Sequence, residues 1–271
     1  MSIAILTNLQ SSETAFRLEN VYKTYTVGES QVSALEDITL SIKRDSFVSL
    51  IGPSGCGKST ILKLLTGLSQ PSAGIIDFRG KPVNGINNQI GYVTQDHNLY
   101  PWLSLYENVA FPLLARGVQP QERRRRVAEL VELVGLTGFE NAYPHELSGG
   151  MQKRGSIIRT LIYDPDVILM DEPFGPLDAQ TRLLMQQELL DLWARKQKTI
   201  FFVTHDLSEA ITLSDQVVVM THRPGRIKEV FAIPLKRPRD VFTIHETPEF
   251  HEIYRQIWHT FRDEIRARTV E

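Results

Sequence analysis

Residues Gly52, Pro53, Ser54, Gly55, Cys56, Gly57, Lys58, Ser59 and Thr60 gather small side chains, hydroxyls and one ammonium group behind a short apolar run. Gly52, Gly57, Lys58 and Ser59 match G-x-x-x-x-G-K-[ST], placed between a predicted strand over 47–51 and a predicted helix over 59–66, the context this motif requires. Bare glycines let successive backbone N–H groups curl around phosphate oxygens without a Cβ in the way. Lys58 adds a point charge towards the β and γ phosphates, the helix N-terminus adds its partial positive charge, and the Ser59 hydroxyl suits Mg²⁺. A structural turn would match this pattern by chance in about one chain of this length in a hundred, so phosphate binding is the preferred reading. Cys56 reads first as a small side chain tolerated in a tight loop. A second reading has the helix dipole and Lys58 lowering its thiol pKa.

A nucleotide loop needs a carboxylate for the metal and a group to manage water. The run VILMDE, residues 167–172, ends four apolar residues with Asp171 and Glu172. A buried strand there would carry Asp171 to Mg²⁺ and Glu172 to the γ-phosphate face, where a carboxylate can polarise the attacking water. In LSGGMQKR, residues 147–154, Ser148, Gly149 and Gly150 precede a helical pattern. That is a second anion-binding candidate with no lysine to complete a nucleotide pocket of its own; its bland alternative is an N-capping serine with a glycine turn.

The elements that must position these residues follow from periodicity. Apolar runs at 47–51, 90–94, 167–170, 200–203 and 217–220 suit strands buried on both faces, and helical patterns at 59–66, 106–115, 123–134, 149–161 and 180–196 lie between them. That alternation predicts an α/β fold with a mainly parallel sheet. Alternating segments at 15–21, 35–42 and 75–79 predict a small antiparallel β subdomain, and the stretch from about 96 to 165 reads as a helical subdomain. Arg123, Arg124, Arg125 and Arg126 share a helix with the apolar stripe Val127, Leu130, Val131 and Val134, and are read as its solvated face. Near the C-terminus, Thr247 and Pro248 look like an N-cap and first-turn proline; Phe250, Ile253, Tyr254, Ile257, Trp258, Phe261 and Ile265 then fall on one helical face. Packing on the chain's own core is the default for that helix, and docking on a partner its rival.

Composition bounds the rest. With 271 residues, 42% hydrophobic and 23% charged, the chain is an ordinary globular protein, and a net charge of −2 gives no general attraction to nucleic acid or acidic lipid. Its single cysteine, Cys56, rules out an intrachain disulfide. No apolar run approaches the roughly 18 residues of a membrane-spanning helix, and residues 1–15 read as a loose leader rather than a secretory signal.

The string LSGGM, together with the loop at Gly52 and the acids at 171–172, resembles the nucleotide-binding subunits of ABC transporters over roughly residues 16–235, with 236–271 as a C-terminal extension. The resemblance implies a P-loop NTPase core of ABC type that binds and hydrolyses ATP with Mg²⁺. It implies that Tyr25 stacks on adenine, that Gln95 senses Mg²⁺ and γ-phosphate, and that His205 contacts the γ-phosphate beside Glu172. Alone, these would read as a strand tyrosine, a solvated glutamine and a histidine satisfied by Asp206; their order and spacing favour the family roles. Residues 175–178, GPLD, match the D-loop that ends at Asp178; the family's usual first residue is serine, here Gly175. The resemblance further implies a head-to-tail pairing with a second or homologous copy, so that Ser148, Gly149, Gly150 and Asp178 act in trans. Residues 171–182 and 235–240 are similar to ATPases of nitrate, sulfonate, taurine and bicarbonate importers. That branch implies integral membrane permease subunits, a periplasmic or extracellular solute-binding protein, no nucleic acid, and a peripheral place on the cytoplasmic face of the inner membrane. Tyr100, Pro101 and Trp102 are candidate permease contacts, a core role for Trp102 being the alternative. A soluble ABC ATPase not coupled to transport is the rival function; a GTPase would need an N-K-x-D motif, which is not found, and a small-molecule kinase would leave LSGGM and His205 unexplained.

Overall fold

The computed structural model describes residues 13–267; residues 1–12 of the expected leader lie outside the described residues. Two long strands, β1 (Thr14–Val27) and β2 (Ser30–Lys43), pair antiparallel, followed by β3 (Phe47–Ile51), α1 (Lys58–Leu65), β4 (Ala73–Phe78), β5 (Lys81–Pro82) and β6 (Ile90–Val93). Three helices come next, α2 (Leu105–Ala115), α3 (Pro120–Leu133) and α4 (Gly149–Leu161). The chain then runs through β7 (Val167–Asp171), α5 (Ala179–Lys196), β8 (Thr199–Val203), α6 (Leu207–Leu213), β9 (Gln216–Met220), β10 (Ile227–Ala232) and α7 (Pro248–Ala267).

The strands form two sheets. One has four strands in the order β2-β1-β4-β5, all antiparallel; the other has six, β10-β9-β3-β8-β7-β6, parallel except at the β10 edge. Every residue of β3, β7 and β8 is buried, because both faces of the sheet are covered. The two-residue pleat period divides their side chains between two layers. Val167, Leu169, Phe201 and Val203 pack with α1 and the antiparallel sheet. Ile168, Met170, Ile200 and Phe202 pack with α2, α3, α4 and α5.

A third cluster settles the place of the C-terminal helix. Phe250, Ile257 and Phe261 are buried against Ile211, Val217 and Phe231, so α7 packs on the chain's own core. The Thr247 hydroxyl accepts from the Phe250 amide at 3.3 Å, the expected N-cap. At the far end Glu264 accepts from Lys228 Nζ at 2.7 Å and from the His222 amide at 2.9 Å. The side chain of Ile265, expected on the same face, lies outside the described residues. Upstream of α7, buried Arg239 donates to the carbonyls of Ile211, Thr212 and Ser214, closing the C-terminus of α6. Burial pulls its guanidinium down to about 10.

The structure departs from the sequence expectations in a few elements. β1 and β2 extend well beyond 15–21 and 35–42, carried by register shifts that interrupt simple alternation. β1 starts at Thr14, inside the stretch read as leader. β10 was not foreseen, since an edge strand with one wet face carries little apolar signal, and neither was the seven-residue α6.

Candidate functional site

Loops leaving the C-terminal ends of β3, β6, β7 and β8 converge on one cleft, where open α/β sheets place ligands. Its volume is about 530 Å³, and it is lined by Ser54, Gly55, Gly57, Lys58, Ser59, Thr60, Gln95, Glu172 and His205. Two glycines show why the loop is bare. A Cβ on Gly52 would lie 2.7 Å from Cys56 Sγ, and Gly57 combines a φ of +103° with a Cβ position 2.6 Å from Leu35. Lys58 opens α1 and folds back so that Nζ donates to the Gly52 and Pro53 carbonyls at 2.8 and 3.0 Å. The ammonium is thus held over the loop whose N–H groups could cradle phosphate.

Ser59, in the first turn of α1, meets Asp171 at the end of β7, the hydroxyl donating to the carboxylate. Burial pushes the Asp171 carboxyl up; the Ser59 hydrogen bond pulls it down, Glu172 adds to the rise, and Lys58 and Lys153 oppose it. Tyr92 on β6 also hydrogen-bonds Asp171, and burial, with that carboxylate, raises its phenol pKa. A hydroxyl and one carboxylate fit a hard, largely water- and phosphate-coordinated ion such as Mg²⁺.

Glu172 follows β7 with a φ of +44°, a left-handed conformation that a non-glycine residue adopts only when its surroundings impose it. Its amide donates to the Val203 carbonyl at 2.9 Å, which ties the turn to β8. One carboxylate oxygen lies 3.1 Å from His205 Nδ1, and the residue lines the cleft. His205 therefore pairs with Glu172, while Asp206 caps α6 through the Ser208 and Glu209 amides. Beneath them, the buried Glu209 carboxylate accepts from Thr204 Oγ1 at 2.6 Å and Gln186 Nε2 at 3.1 Å.

Gln95 leaves β6 exposed at the cleft. Its carbonyl and that of Thr94 accept from Lys153 Nζ at 2.8 and 2.6 Å. Lys153 is fully buried in α4, and burial pulls its ammonium down to about 8 against the attraction of Asp171, Asp96 and Glu172. Sequence reasoning passed over Lys153, Tyr92, Thr204, Gln186 and Glu209. Lys153 shares a helix face with Ser156, Ile157 and Thr160, all buried, but only Ile157 is apolar, so no apolar stripe marks that face in the sequence.

The remaining candidates do not line this cleft. Tyr25 is half-buried on β1 with Lys23 Nζ 5.0 Å over its ring. Ser148 caps α4, its hydroxyl accepting from the Met151 amide at 3.3 Å, and Gly149 and Gly150 form the helix's first turn. Exposed Asp178 caps α5 by accepting from the Thr181 amide, and hydrogen bonds from the Thr181 hydroxyl, then from that amide, lower its carboxyl pKa.

Two expectations are corrected. The Cys56 thiol is buried 4.0 Å from Met220 Sδ; burial raises its pKa and outweighs Lys58, so the reading of a lowered pKa fails and that of a tolerated small side chain holds. Trp102 is 70% exposed, which excludes the core alternative. Its ring stacks on Tyr100 at 5.5 Å, and Tyr100 meets the exposed Phe111 edge-on at 5.2 Å. Arg125 and Arg126 form surface pairs with Glu122, and Arg125 also with Glu129, in keeping with a solvated face.

Known proteins match this arrangement. A family model described as ABC transporter covers residues 35–175. An uncharacterized ABC transporter ATP-binding protein of Methanocaldococcus jannaschii is 46% identical over 249 residues, 92% of each chain. The aliphatic sulfonates import ATP-binding protein SsuB of Bacillus subtilis is 42% identical over 84% of this chain and 87% of its own. A dimeric ATP-binding cassette solved in a post-hydrolysis state with ADP and Pi superposes with a TM-score of 0.75 at 34% identity, covering 82% of this chain and all of that one. With the loop at Gly52 and the acids of β7 on one cleft, and relatives this similar over nearly the whole length, the chain belongs to the ABC transporter family as an ATP-hydrolysing cassette.

Proposed function

We propose that this chain is the ATPase subunit of an importer for a small anionic solute such as nitrate, an aliphatic sulfonate, taurine or bicarbonate. It binds MgATP between two head-to-tail copies on the cytoplasmic face of the membrane and drives a permease that is served by a solute-binding protein. Residues 16–235 are the ATPase unit and 236–271 its extension. The observation that carries this reading is the division of the machinery: Lys58, Ser59, Gln95, Glu172 and His205 share one cleft, while Ser148, Gly149, Gly150 and Asp178 are exposed or half-exposed outside it. A second copy would bring the latter group to the former. The sulfonate importer relative and the exposed aromatic patch at Tyr100, Trp102 and Phe111 favour coupling to a membrane subunit over a soluble ATPase. Among the described residues no helix is long and apolar enough to cross a membrane.

In this mechanism the loop amides and Lys58 hold the β and γ phosphates, and Tyr25 holds the adenine. Ser59, Asp171 and Gln95 would hold Mg²⁺, which when bound neutralises phosphate charge. The Glu172 carboxylate takes a proton from the attacking water, and His205 fixes one of its oxygens and faces the γ-phosphate. The N-terminus of α4 from the other copy supplies N–H donors to the same phosphate.

Affinity capture from detergent-solubilised membranes of the source cell tests the coupling. Wild-type chain should retain a multi-spanning membrane protein, and Trp102→Asp should lose it while keeping basal ATP hydrolysis. Recovery of the same proteins by both, with no multi-spanning protein among them, would contradict the importer reading.

A further inference from the structure

Lys153 is a fully buried lysine whose ammonium group is not part of the cleft. Burying an ammonium is costly unless it is hydrogen-bonded, and here two consecutive carbonyls, Thr94 and Gln95, turn towards it. The loop they belong to is also tied within itself: Thr94 Oγ1 donates to the Asp96 carbonyl at 2.9 Å and accepts from Asn98 Nδ2 at 2.7 Å. It lies along α4 at two further points. A Cβ on Gly155 would stand 3.5 Å from Leu99, and one on Gly149 would stand 3.8 Å from His97 Nε2. Loop and helix are therefore fastened together as one body, and Lys153 supplies the polar link between them.

That body has two ends with different duties. Its helix begins at Ser148, Gly149 and Gly150, and its loop presents Gln95 to the cleft with Glu172 and His205. We propose that Lys153 is a positioning residue that couples the two nucleotide sites, carrying a displacement of the Ser148 end, imposed by the other copy's triphosphate, to Gln95 in its own cleft. This inference rests on the head-to-tail reading above. An apolar residue would fill the same space and preserve the packing; it would leave both carbonyls without their donor and let Gln95 move independently of α4.

The test compares wild type with Lys153→Met and Lys153→Gln. Steady-state ATP hydrolysis is followed as a function of ATP concentration, and binding of a fluorescent ATP analogue is measured separately. Wild type should hydrolyse cooperatively. Lys153→Met should lose cooperativity and at least about fivefold in kcat, the scale of a typical coupling between sites, with analogue affinity unchanged. Lys153→Gln, which keeps N–H donors but no charge, should fall between the two; it also decides the matter should the methionine variant not fold. Wild-type cooperativity and kcat in the glutamine variant, or in a folded methionine variant, would overturn the proposal. A wild type that binds ATP but hydrolyses it without cooperativity would instead overturn the head-to-tail reading, and this inference with it.

Discussion

Removing the Glu209 side chain should destabilise the protein severely, although Glu209 does not line the cleft. The carboxylate is 8% exposed and accepts from Thr204 Oγ1 and Gln186 Nε2, with Arg182 Nε more distant at 3.8 Å. Glu209→Ala strands two buried donors, each worth about 1–3 kcal/mol when left unsatisfied, for a total of about 2–6 kcal/mol. Against a typical net stability of roughly 5–15 kcal/mol that is a large fraction. Glu209→Gln keeps an acceptor for Thr204, and Gln186 can turn its amide to match, so its cost should stay near 1 kcal/mol or less. The pH dependence has a definite sign. Burial raises the folded-state pKa of Glu209 above its unfolded value, with the Thr204 hydrogen bond opposing. The group's contribution is therefore greatest below the ordinary carboxylate range and is lost as pH rises through the folded pKa. Urea unfolding at a series of pH values should show wild type losing ground to Glu209→Gln as pH rises from acid towards neutral. Glu209→Ala within about 0.5 kcal/mol of wild type at neutral pH would refute the reasoning. A widening advantage of wild type on the same climb would refute the assigned direction.

Two other predictions concern buried groups. Maleimide should label Cys56 far more slowly in the native protein than in urea, with or without ATP, because the thiol is buried and its pKa raised; native labelling as fast as unfolded would contradict this. Phe261→Ala should cost about 3–5 kcal/mol in urea unfolding, since the ring is 5% exposed in the cluster that fastens α7. A cost below about 1 kcal/mol would mean that the helix contributes little to the core.

The phosphate loop, the acids ending β7 and the parallel sheet were legible because each is a local demand on residue type. A phosphate cradle needs small residues at fixed spacing, and a doubly covered strand needs an unbroken apolar run. Lys153 with Thr94 and Gln95, Tyr92 with Asp171, and Glu209 with Gln186 were not legible, because each pairing joins elements far apart in the chain and neither partner announces the other. Cys56 misled in a different way. Its neighbours Lys58 and the start of α1 favour a thiolate, and only the fold reveals that burial against Met220 outweighs them. The register shifts of β1 were likewise hidden, since a strand that changes face loses the alternation by which it is recognised.

The central claim is that two copies close over ATP and that Glu172 then activates water. Size-exclusion chromatography with light scattering on Glu172→Gln, with MgATP, tests it directly when run beside a phosphate-release assay. A nucleotide-loaded dimer is expected, with hydrolysis slowed by about 10²–10⁴-fold, the usual contribution of a general base. A variant that stays monomeric with ATP bound, or that releases phosphate at the wild-type rate, would contradict it.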